Sequence, residues 1–574
     1  MINLIFYDFE VFIHDWLVVL IDPSKKRVTE IANDPDRLSE FYEENKDDIW
    51  VGYNNNHYDQ YIMKAILLGM DPKKVNDWII KKKKDGWRYS SLFRTISMNN
   101  YDVASRTDRG LKFFEGCMGS MIKESSIPFD IPRKLIEEEI QETFEYCRHD
   151  VEETIKVFLN KIDDFNTVMY FIKHFNLPLS DVSLTKAQLA AKLLGANGKG
   201  HSFDDEFRFP ILDCLDLKKY KHVADWYKNS DNHDYKKSQK GVIVHGVEHK
   251  FSWGGGHGAI PKFHAKGDFL IIDVTAYYPS MQRKYKFGYR VMDKPENFEF
   301  IHDSNIKFKR EGDKKARLPF KIMDNSISGQ MKQKSSKMYD PMGNNSICIN
   351  GQLLLLDLVE HLEPYCKLIQ NNTDGILLQL MNYERDFDLI DAEVAKWEKR
   401  TGMKMDFDTF FGEIFQKDVN NYLLVDRENG AVKAKGAYVK KLSDLDYGDF
   451  PIVNKALVEY MINGVPVERT INGCDQLKEF QMVTKIGGKY EHLLHGDKEL
   501  KEKCVRAFAS LRPNDGGLKK LHVVKGKYEK VASSPEHCFL FNDAVNGVKV
   551  PEYLDKQFYV NMAKNRLNDF GVII

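Results

Sequence analysis

The stretch LIFYDFEVF, residues 4–12, sets two acids into an otherwise apolar run of aromatic and β-branched residues. That composition reads as a strand. Asp8 and Glu10 stand two apart, so both project from one face. Paired carboxylates on an apolar strand repel each other and resist burial. Either this face stays in water, or the rest of the chain brings further acids to it and a divalent cation resolves the conflict.

Two later segments offer such acids. In WVGYNNNHYDQYIM (50–63), a short apolar run meets three asparagines and then Asp59, at the start of an amphipathic helical pattern. In EEEIQETFEYCRHDVEETIKVFL (137–159), Ile140, Phe144, Cys147, Val151, Ile155 and Phe158 form one apolar stripe, the signature of a helix. Tyr146 and Asp150 are four apart on that helix and share a face.

A second set of acids lies in the middle of the chain. The run FLIID ends a strand at Asp273 and continues as Val-Thr-Ala-Tyr-Tyr278-Pro-Ser280. Downstream, Lys321 and Asn325 are one helical turn apart, and Arg317 is a further turn back. Pro319 lies between them, which predicts that Arg317 falls just outside the helix. In CKLIQNNTDGILLQL (366–380), Asp374-Gly375 between apolar runs predicts a β-hairpin with Asp374 at its turn.

These segments resemble, in order, the motifs of family B DNA polymerases with a 3′–5′ exonuclease domain. D-x-E, N-x-x-x-Y-D and Y-x-x-x-D are similar to the three exonuclease motifs. The resemblance implies that Asp8, Glu10, Asp59 and Asp150 hold two metals and that Tyr146 orients the attacking water. Asn54 and Asn55 both fit the asparagine of the second motif, and Lys123 resembles a lysine that assists exonucleolysis in small phage enzymes. The octet from Asp273 resembles motif A, with Ala276 and Tyr277 departing from the usual Ser-Leu. Lys321–Gly329 resembles the fingers motif, with Ser328 in place of Tyr, and NTD resembles motif C, with Asn372 in place of its first Asp. Lys435 and Tyr438 resemble a lysine-rich element at the primer terminus. Trp253-Gly-Gly255-Gly256 resembles the aromatic-x-G-G element, and its glycines allow close approach of a sugar-phosphate chain.

The resemblance covers residues 1–440 and implies a minimal, phage-like DNA polymerase. Asp273 and Asp374 would bind two Mg²⁺ ions, with Mn²⁺ as a substitute. Lys321, Asn325, Arg317 and Tyr278 would bind the dNTP, and primer-template DNA would meet Lys435, Tyr438, Gly255, Gly256, Asn54, Asn55 and Lys123. The expected fold is α/β and α+β, multidomain: an RNase H-like exonuclease domain (1–195), a connector (196–259), palm (260–300 and 345–440), fingers (301–344, with the basic run on their first helix) and thumb (441–574). Lys321 follows Asp273 by 48 residues and precedes Asp374 by 53, which leaves little room for the insertions of protein-primed enzymes. A nucleic-acid primer is therefore expected and a terminal protein is not. Helicase and single-strand-binding protein are the implied partners, and a monomer is the family expectation. The departures at 328 and 372 also admit two rival readings: an exonuclease with a degenerate polymerase half, or a replisome scaffold without catalysis.

Bulk properties agree with an enzyme of this size. The 574 residues exceed one hydrophobic core and predict three or four structural units. No apolar run reaches the ~18 residues of a membrane span, and the acidic start is not that of a signal peptide. The eight cysteines form no C-x-x-C pair, which predicts reduced, packing cysteines in a cytoplasmic protein and no zinc site. A net charge of −1 excludes a polycationic DNA coat but not an enzyme whose acidic sites offset basic grooves. Two basic stretches stand out: KKKK at 81–84, and KFKREGDKKARLPFK at 307–321, with seven Lys/Arg against two acids.

Overall fold

The computed structural model describes residues 2–104 and 109–573. The chain is mixed α/β and divides into two compact units. The first comprises Met1–Thr185, Leu442–Ile452 and Cys474–Tyr559; the second comprises Lys186–Lys441, Val453–Gly473 and Val560–Ile574. Among the described residues, no helix is long and apolar enough to cross a membrane.

In the first unit the predicted strand forms as β1 (Leu4–Val11), at the centre of a five-stranded sheet. Its partners are β2 (Trp16–Asp22), β3 (Arg27–Ala32), β4 (Ile49–Gly52) and β5 (Asn99–Asp102), in the order β3-β2-β1-β4-β5. β1 runs antiparallel to β2 and parallel to β4. Helices cover both faces, so β2 and β4 are buried throughout rather than alternating. On one face Tyr7 and Phe9 pack with Trp50 and with α1 (Pro35–Asn45) and α2 (Asp59–Leu67), followed by α3 (Pro72–Ile79). On the other, Phe6 meets Phe158 edge to face, at 5.3 Å between ring centres. Phe158 belongs to α5 (Glu137–Asn160), which follows α4 (Leu111–Met118) and precedes α6 (Ile162–His174). Asp8 and Glu10 share the Phe6 face by strand alternation.

In the second unit, α7 (Lys186–Leu193) and α8 (Lys221–Lys228) lead into a nine-stranded sheet. The strands are β6 (Ser238–Val244), β7 (Val247–Ser252), β8 (Gly255–Ala259), β9 (Phe263–Val274), β10 (Lys367–Asn371), β11 (Gly375–Leu380), β12 (Met405–Asp418), β13 (Asn421–Asp426) and β14 (Val432–Lys435). Their order is β14-β13-β12-β9-β11-β10-β8-β7-β6. The stretch 196–259, expected as a connector, thus supplies three strands of this sheet. Between β9 and β10 the chain forms α9 (Tyr277–Tyr285), α10 (Pro295–Arg310), α11 (Lys314–Ser328) and α12 (Pro341–Leu362); α13 (Tyr383–Thr401) follows β11. α12 is buried along most of its length, its apolar second half (Leu353–Leu356, Leu358, Val359) in the core and its buried Asn345, Asn350, Gln352 and Asp357 bonded to neighbouring segments.

The stretch expected as one thumb, 441–574, is divided between the two units. Its seven strands are β15 (Met482–Lys485), β16 (Tyr490–His495), β17 (Lys498–Leu500), β18 (Cys504–Ala509), β19 (Leu518–His522), β20 (Lys527–Lys530) and β21 (Cys538–Leu540). They form two small sheets, β15-β18-β21 and β17-β16-β19-β20, within the first unit. Arg506 on β18 is fully buried, and its guanidinium donates to the carbonyls of Gly116 (3.0 Å), Ser120 (2.7 Å) and Asp543 (2.7 Å). Burial pulls its pKa down to about 10. These bonds close the carbonyl end of α4, where a positive charge is favourable. Arg506→Leu strands those carbonyls without donors. It should cost the first unit roughly 3–5 kcal/mol, read as a lower denaturant midpoint for that unit's transition.

Candidate active sites

The first site is built on β1. Asp8, Glu10 and Cys147 each bring a possible ligand atom, all within 4.8 Å of one another. Asp59 opens α2, and its Oδ1 accepts the Phe9 N–H at 3.2 Å, which fixes that carboxylate beside the strand. Asp150 comes from α5, so the four predicted acids come together in one unit. Burial, and then repulsion from Asp59, Glu10 and Asp150, raises Asp8. Glu10 is raised by burial and then by Asp150. Burial pushes Asp59 up to about 7 and Asp150 up to about 6. Tyr146 is also raised, by burial and then by Asp150 and Glu10, so its hydroxyl keeps its proton.

Among the described residues, Lys112 is bonded directly to one of these acids. Lys112 on α4 is bonded to Asp150, lies 3.1 Å from the fully buried Glu115, and sits 4.6 Å over the Tyr146 ring. Burial opposes the charge on Lys112, but Asp150 and Glu115 outweigh it and hold its pKa above the ordinary value. Lys112 thus contacts this cluster directly, and Lys123 lies in the segment between α4 and α5. Nothing in the local pattern of 111–118 signalled Lys112; its place comes from how α4 packs. The two asparagines also separate. Asn55 is buried and donates to Asn100 Oδ1 (3.0 Å) and the Tyr101 carbonyl (3.2 Å). Asn54 is exposed in a left-handed conformation, with its N–H bonded to Asp102 Oδ1.

The second site lies where β9, β11 and β12 end. Asp273, next to last in β9, is flanked by Gly375 of β11 and Asp406 of β12. Asp374 closes the β10–β11 turn, and its carbonyl accepts the Val274 N–H at 2.8 Å. Gly375 has a reason beyond the turn: a Cβ there would lie 2.0 Å from Asp273 Oδ1. Only glycine lets the turn close on the carboxylate. The Asn372 N–H donates to the Gly375 carbonyl (2.8 Å) and completes the turn.

Four further groups join this site that the motifs did not single out. Lys433 on β14 bridges Asp273 (3.1 Å) and Asp408 (2.9 Å). Lys309 at the end of α10 is bonded to Asp406, which also accepts from Thr275. Burial raises Asp273; Lys433 offsets part of this, and Asp374 and Asp408 add to it. Asp406 and Asp408 could have been found, since KMDFDTF repeats the pattern of LIFYDFEVF: two acids two apart in an aromatic strand.

The helical hairpin α10–α11 carries the predicted phosphate-binding residues. The basic run 307–321 straddles its tip rather than lying on one helix. Arg317 lies inside α11, because the helix starts at Lys314 and admits Pro319. Its Nε donates to Asn305 Oδ1 (2.9 Å), while Lys321 and Asn325 are exposed along α11. Buried Asp324 braces the pair of helices, accepting from Asn305 Nδ2 (2.8 Å) and lying 2.9 Å from His302 Nδ1. Tyr278 is the second residue of α9, with its ring near Gly351 of α12 and its hydroxyl buried.

The remaining candidates are less free. Lys435 lies two beyond Lys433 on β14 and so faces the same side. Tyr438 is engaged by Lys417 and Arg566, which stand 5.3 and 4.2 Å over its ring. Gly256 is required by internal packing, since a Cβ would meet Phe251 at 2.8 Å and Gln352 at 2.9 Å. A Cβ at Gly255 would press on the His257 ring at 3.3 Å and lie 3.9 Å from Thr373 Oγ1 of the Asp374 turn.

No protein-family model and no curated protein matches this sequence. Among solved structures, the chain is similar to that of the family B DNA polymerase from the hyperthermophilic archaeon Pyrobaculum calidifontis. The identity is 13% over 100% of this chain and 78% of that one, with a TM-score of 0.44.

The donor sets suit a hard divalent cation. In the first unit Glu10, Asp59 and Asp150 are buried and Asp8 is half-buried beside them. Among the described residues Lys112 is the lysine bonded to this group, which leaves an excess of negative charge that oxygen-preferring cations neutralise. Unfolded Asp ionises near pH ~4, whereas the folded Asp59 holds its proton to about 7. The folded state thus binds more protons between these values, and stability falls as pH rises through them. In EDTA, the thermal midpoint of the first unit should drop between about pH 4 and 7. Asp59→Asn should flatten that slope, and Mg²⁺ or Mn²⁺ should restore the midpoint at pH 7.5.

Proposed function

We propose that this protein is a DNA-directed DNA polymerase that extends a nucleic-acid primer with dNTPs, with a 3′–5′ exonuclease in its first unit. The observation that carries this reading is the β9–β11 register. It seats Asp374 beside Asp273, with the tip of a basic helical hairpin bonded through Lys309 to the neighbouring Asp406. In this reading the nine-stranded sheet is the palm, α10–α11 are the fingers, and the thumb comes from 441–574. The five-stranded sheet, with β3, β2 and β1 successively antiparallel and β1, β4 and β5 parallel, is RNase H-like in this reading. Phage genome replication is the setting it suggests, in the host cytoplasm and with primer-template DNA, a helicase and single-strand-binding protein as partners. The 48 and 53 residues that flank Lys321 are taken up by α9–α12 and β10, which supports a nucleic-acid primer over a terminal protein.

Asp273 and Asp374 and, in the nuclease, Asp8, Glu10, Asp59 and Asp150 would hold Mg²⁺, or Mn²⁺ in its place, which when bound would lower the pKa of the attacking hydroxyl or water and offset phosphate charge. The protein's own share is positioning. Lys321, Asn325 and Arg317 bind the triphosphate along one face of α11, with Arg317 held by Asn305. Lys433 holds Asp273 and Asp408 in register, and Lys435 follows it toward the primer strand. Tyr278 forms the floor under the sugar and excludes a 2′-hydroxyl. In the nuclease, Tyr146 keeps its proton and donates to the water, while Lys112 steadies Asp150.

Two measurements test this reading. On a labelled primer-template with Mg²⁺, Asp374→Asn should lower extension more than ~100-fold and leave single-strand digestion intact. Asp8→Ala should do the reverse. If wild type only degrades, or only binds, the polymerase assignment falls. Second, Tyr278→Ala should raise ribonucleotide incorporation about 10-fold or more relative to dNTPs. Unchanged discrimination would remove Tyr278 from that role.

A further inference from the structure

The lysine run at 81–84 plays no part in either site. It lies in a segment that leaves α3 and crosses the surface of the first unit. One side of this segment is fixed by rings. Trp78 meets Tyr89 edge to face (5.8 Å), Tyr89 stacks on Phe93 (6.1 Å), and Phe93 reaches Tyr61 of α2 (5.7 Å). Gly86 locks the contact, since a Cβ there would lie 2.2 Å from the Tyr61 ring. Tyr61 is two residues after Asp59 in the same helix. Tyr58, next to Asp59, donates to Asn76 of α3 at 2.8 Å. The segment is thus anchored at both ends to the element that presents Asp59.

Trp87 goes the other way. It is 53% exposed, with Ile80 at 58% and Leu92 at 51%. An indole left in water forgoes a large burial gain, and three such residues in one segment are uncommon on a free surface. Between Ile80 and Arg94 there are six Lys/Arg against Asp85 alone, in a chain of net charge −1. The Arg88 guanidinium stands 4.8 Å over the Trp87 ring, and Lys82 and Lys84 stand 5.7 and 4.2 Å over Trp78. Lys81 pairs with Asp77 (3.0 Å) and Arg88 with Asp85 (3.1 Å).

We propose that residues 80–94 bind a single strand of nucleic acid, with Trp87 stacking on an unpaired base and the lysines following the phosphates. Cations interleaved with an exposed aromatic are the makings of a stacking platform. A duplex offers phosphates but no free base face for Trp87, Ile80 and Leu92, so the single strand is the better fit. The inference rests on the exonuclease reading only for its purpose, which is to lead a frayed strand toward Asp59.

Binding of fluorescein-labelled oligothymidylate to the full-length protein in EDTA tests this, with a blunt duplex as comparison. Trp87→Ala should weaken oligothymidylate binding about 5- to 100-fold, and Trp87→Phe less than about 3-fold. Lys82→Glu/Lys83→Glu should weaken it and flatten its salt dependence. Duplex affinity should barely change. A 5-iododeoxyuridine oligonucleotide should crosslink to the peptide containing Trp87. Unchanged oligothymidylate affinity in Trp87→Ala and in the charge reversal overturns the proposal, as does an equal loss for duplex or crosslinks that map only elsewhere. Should Trp87→Ala not fold, Trp87→Phe and the charge reversal decide. Failure of the exonuclease reading shows separately, as no Mg²⁺-dependent digestion by wild type while the binding results stand.

Discussion

Like charges brought together by strand geometry are the constraint on which both units turn. β1 carries Asp8 and Glu10 on one face, and β12 carries Asp406 and Asp408 in the same way, directly beside Asp273. Alternation leaves no choice about this, because residues two apart in a strand share a side. Each unit then answers the repulsion from outside the strand. Lys112 comes from a helix to Asp150, while Lys433 and Lys309 come from a distant strand and the helical hairpin to Asp273, Asp408 and Asp406. Among the described residues, in neither unit do the lysines match the carboxylates one for one. The uncompensated charge is what makes these sites ready for a cation rather than merely salt-bridged.

Close approach is the second constraint. The β10–β11 turn meets β9 only because residue 375 has no side chain, and the segment after α3 meets α2 only because residue 86 has none. Both glycines follow an aspartate. In each case the Asp-Gly pair looks in sequence like an ordinary turn signal, and the glycine's φ is not positive at either position. Space, not conformational freedom, fixes them. A substitution at either site would therefore act on the neighbouring carboxylate or ring before it acted on the turn.

The parts legible in the sequence are those encoded locally. Asp8 with Glu10, Asp59 at a helix start, Tyr146 with Asp150, and the β10–β11 hairpin each follow from a few consecutive residues, and the structure has those elements where expected. Partners set by long-range register were not legible. Lys433 reaches Asp273 from 160 positions away, and Lys112 meets Asp150 from 38. Arg506 caps α4 from 390 positions further along the chain, a contact that no local pattern in the stretch expected as thumb, 441–574, announces. The strands within 196–259 are illegible for a related reason: β6–β8 are short, and the sheet they join is what makes them strands. Asp406 and Asp408 differ, since their alternation is visible in KMDFDTF.

Asn372 now has a physical account. It sits two residues before Asp374 in a turn that faces Asp273, and its N–H, not its side chain, closes that turn. The sheet end already gathers Asp273, Asp374, Asp406 and Asp408 against Lys309 and Lys433. A carboxylate at 372 would add a fifth negative charge where burial already raises Asp273. An amide keeps the shape and polarity of the turn without that repulsion. The acids on β12 can supply the charge that the first Asp of the resembled motif carries elsewhere. The departure at 372 is then a redistribution of charge within one site, which is a weaker argument for decay than a lost carboxylate at 273 or 374 would be.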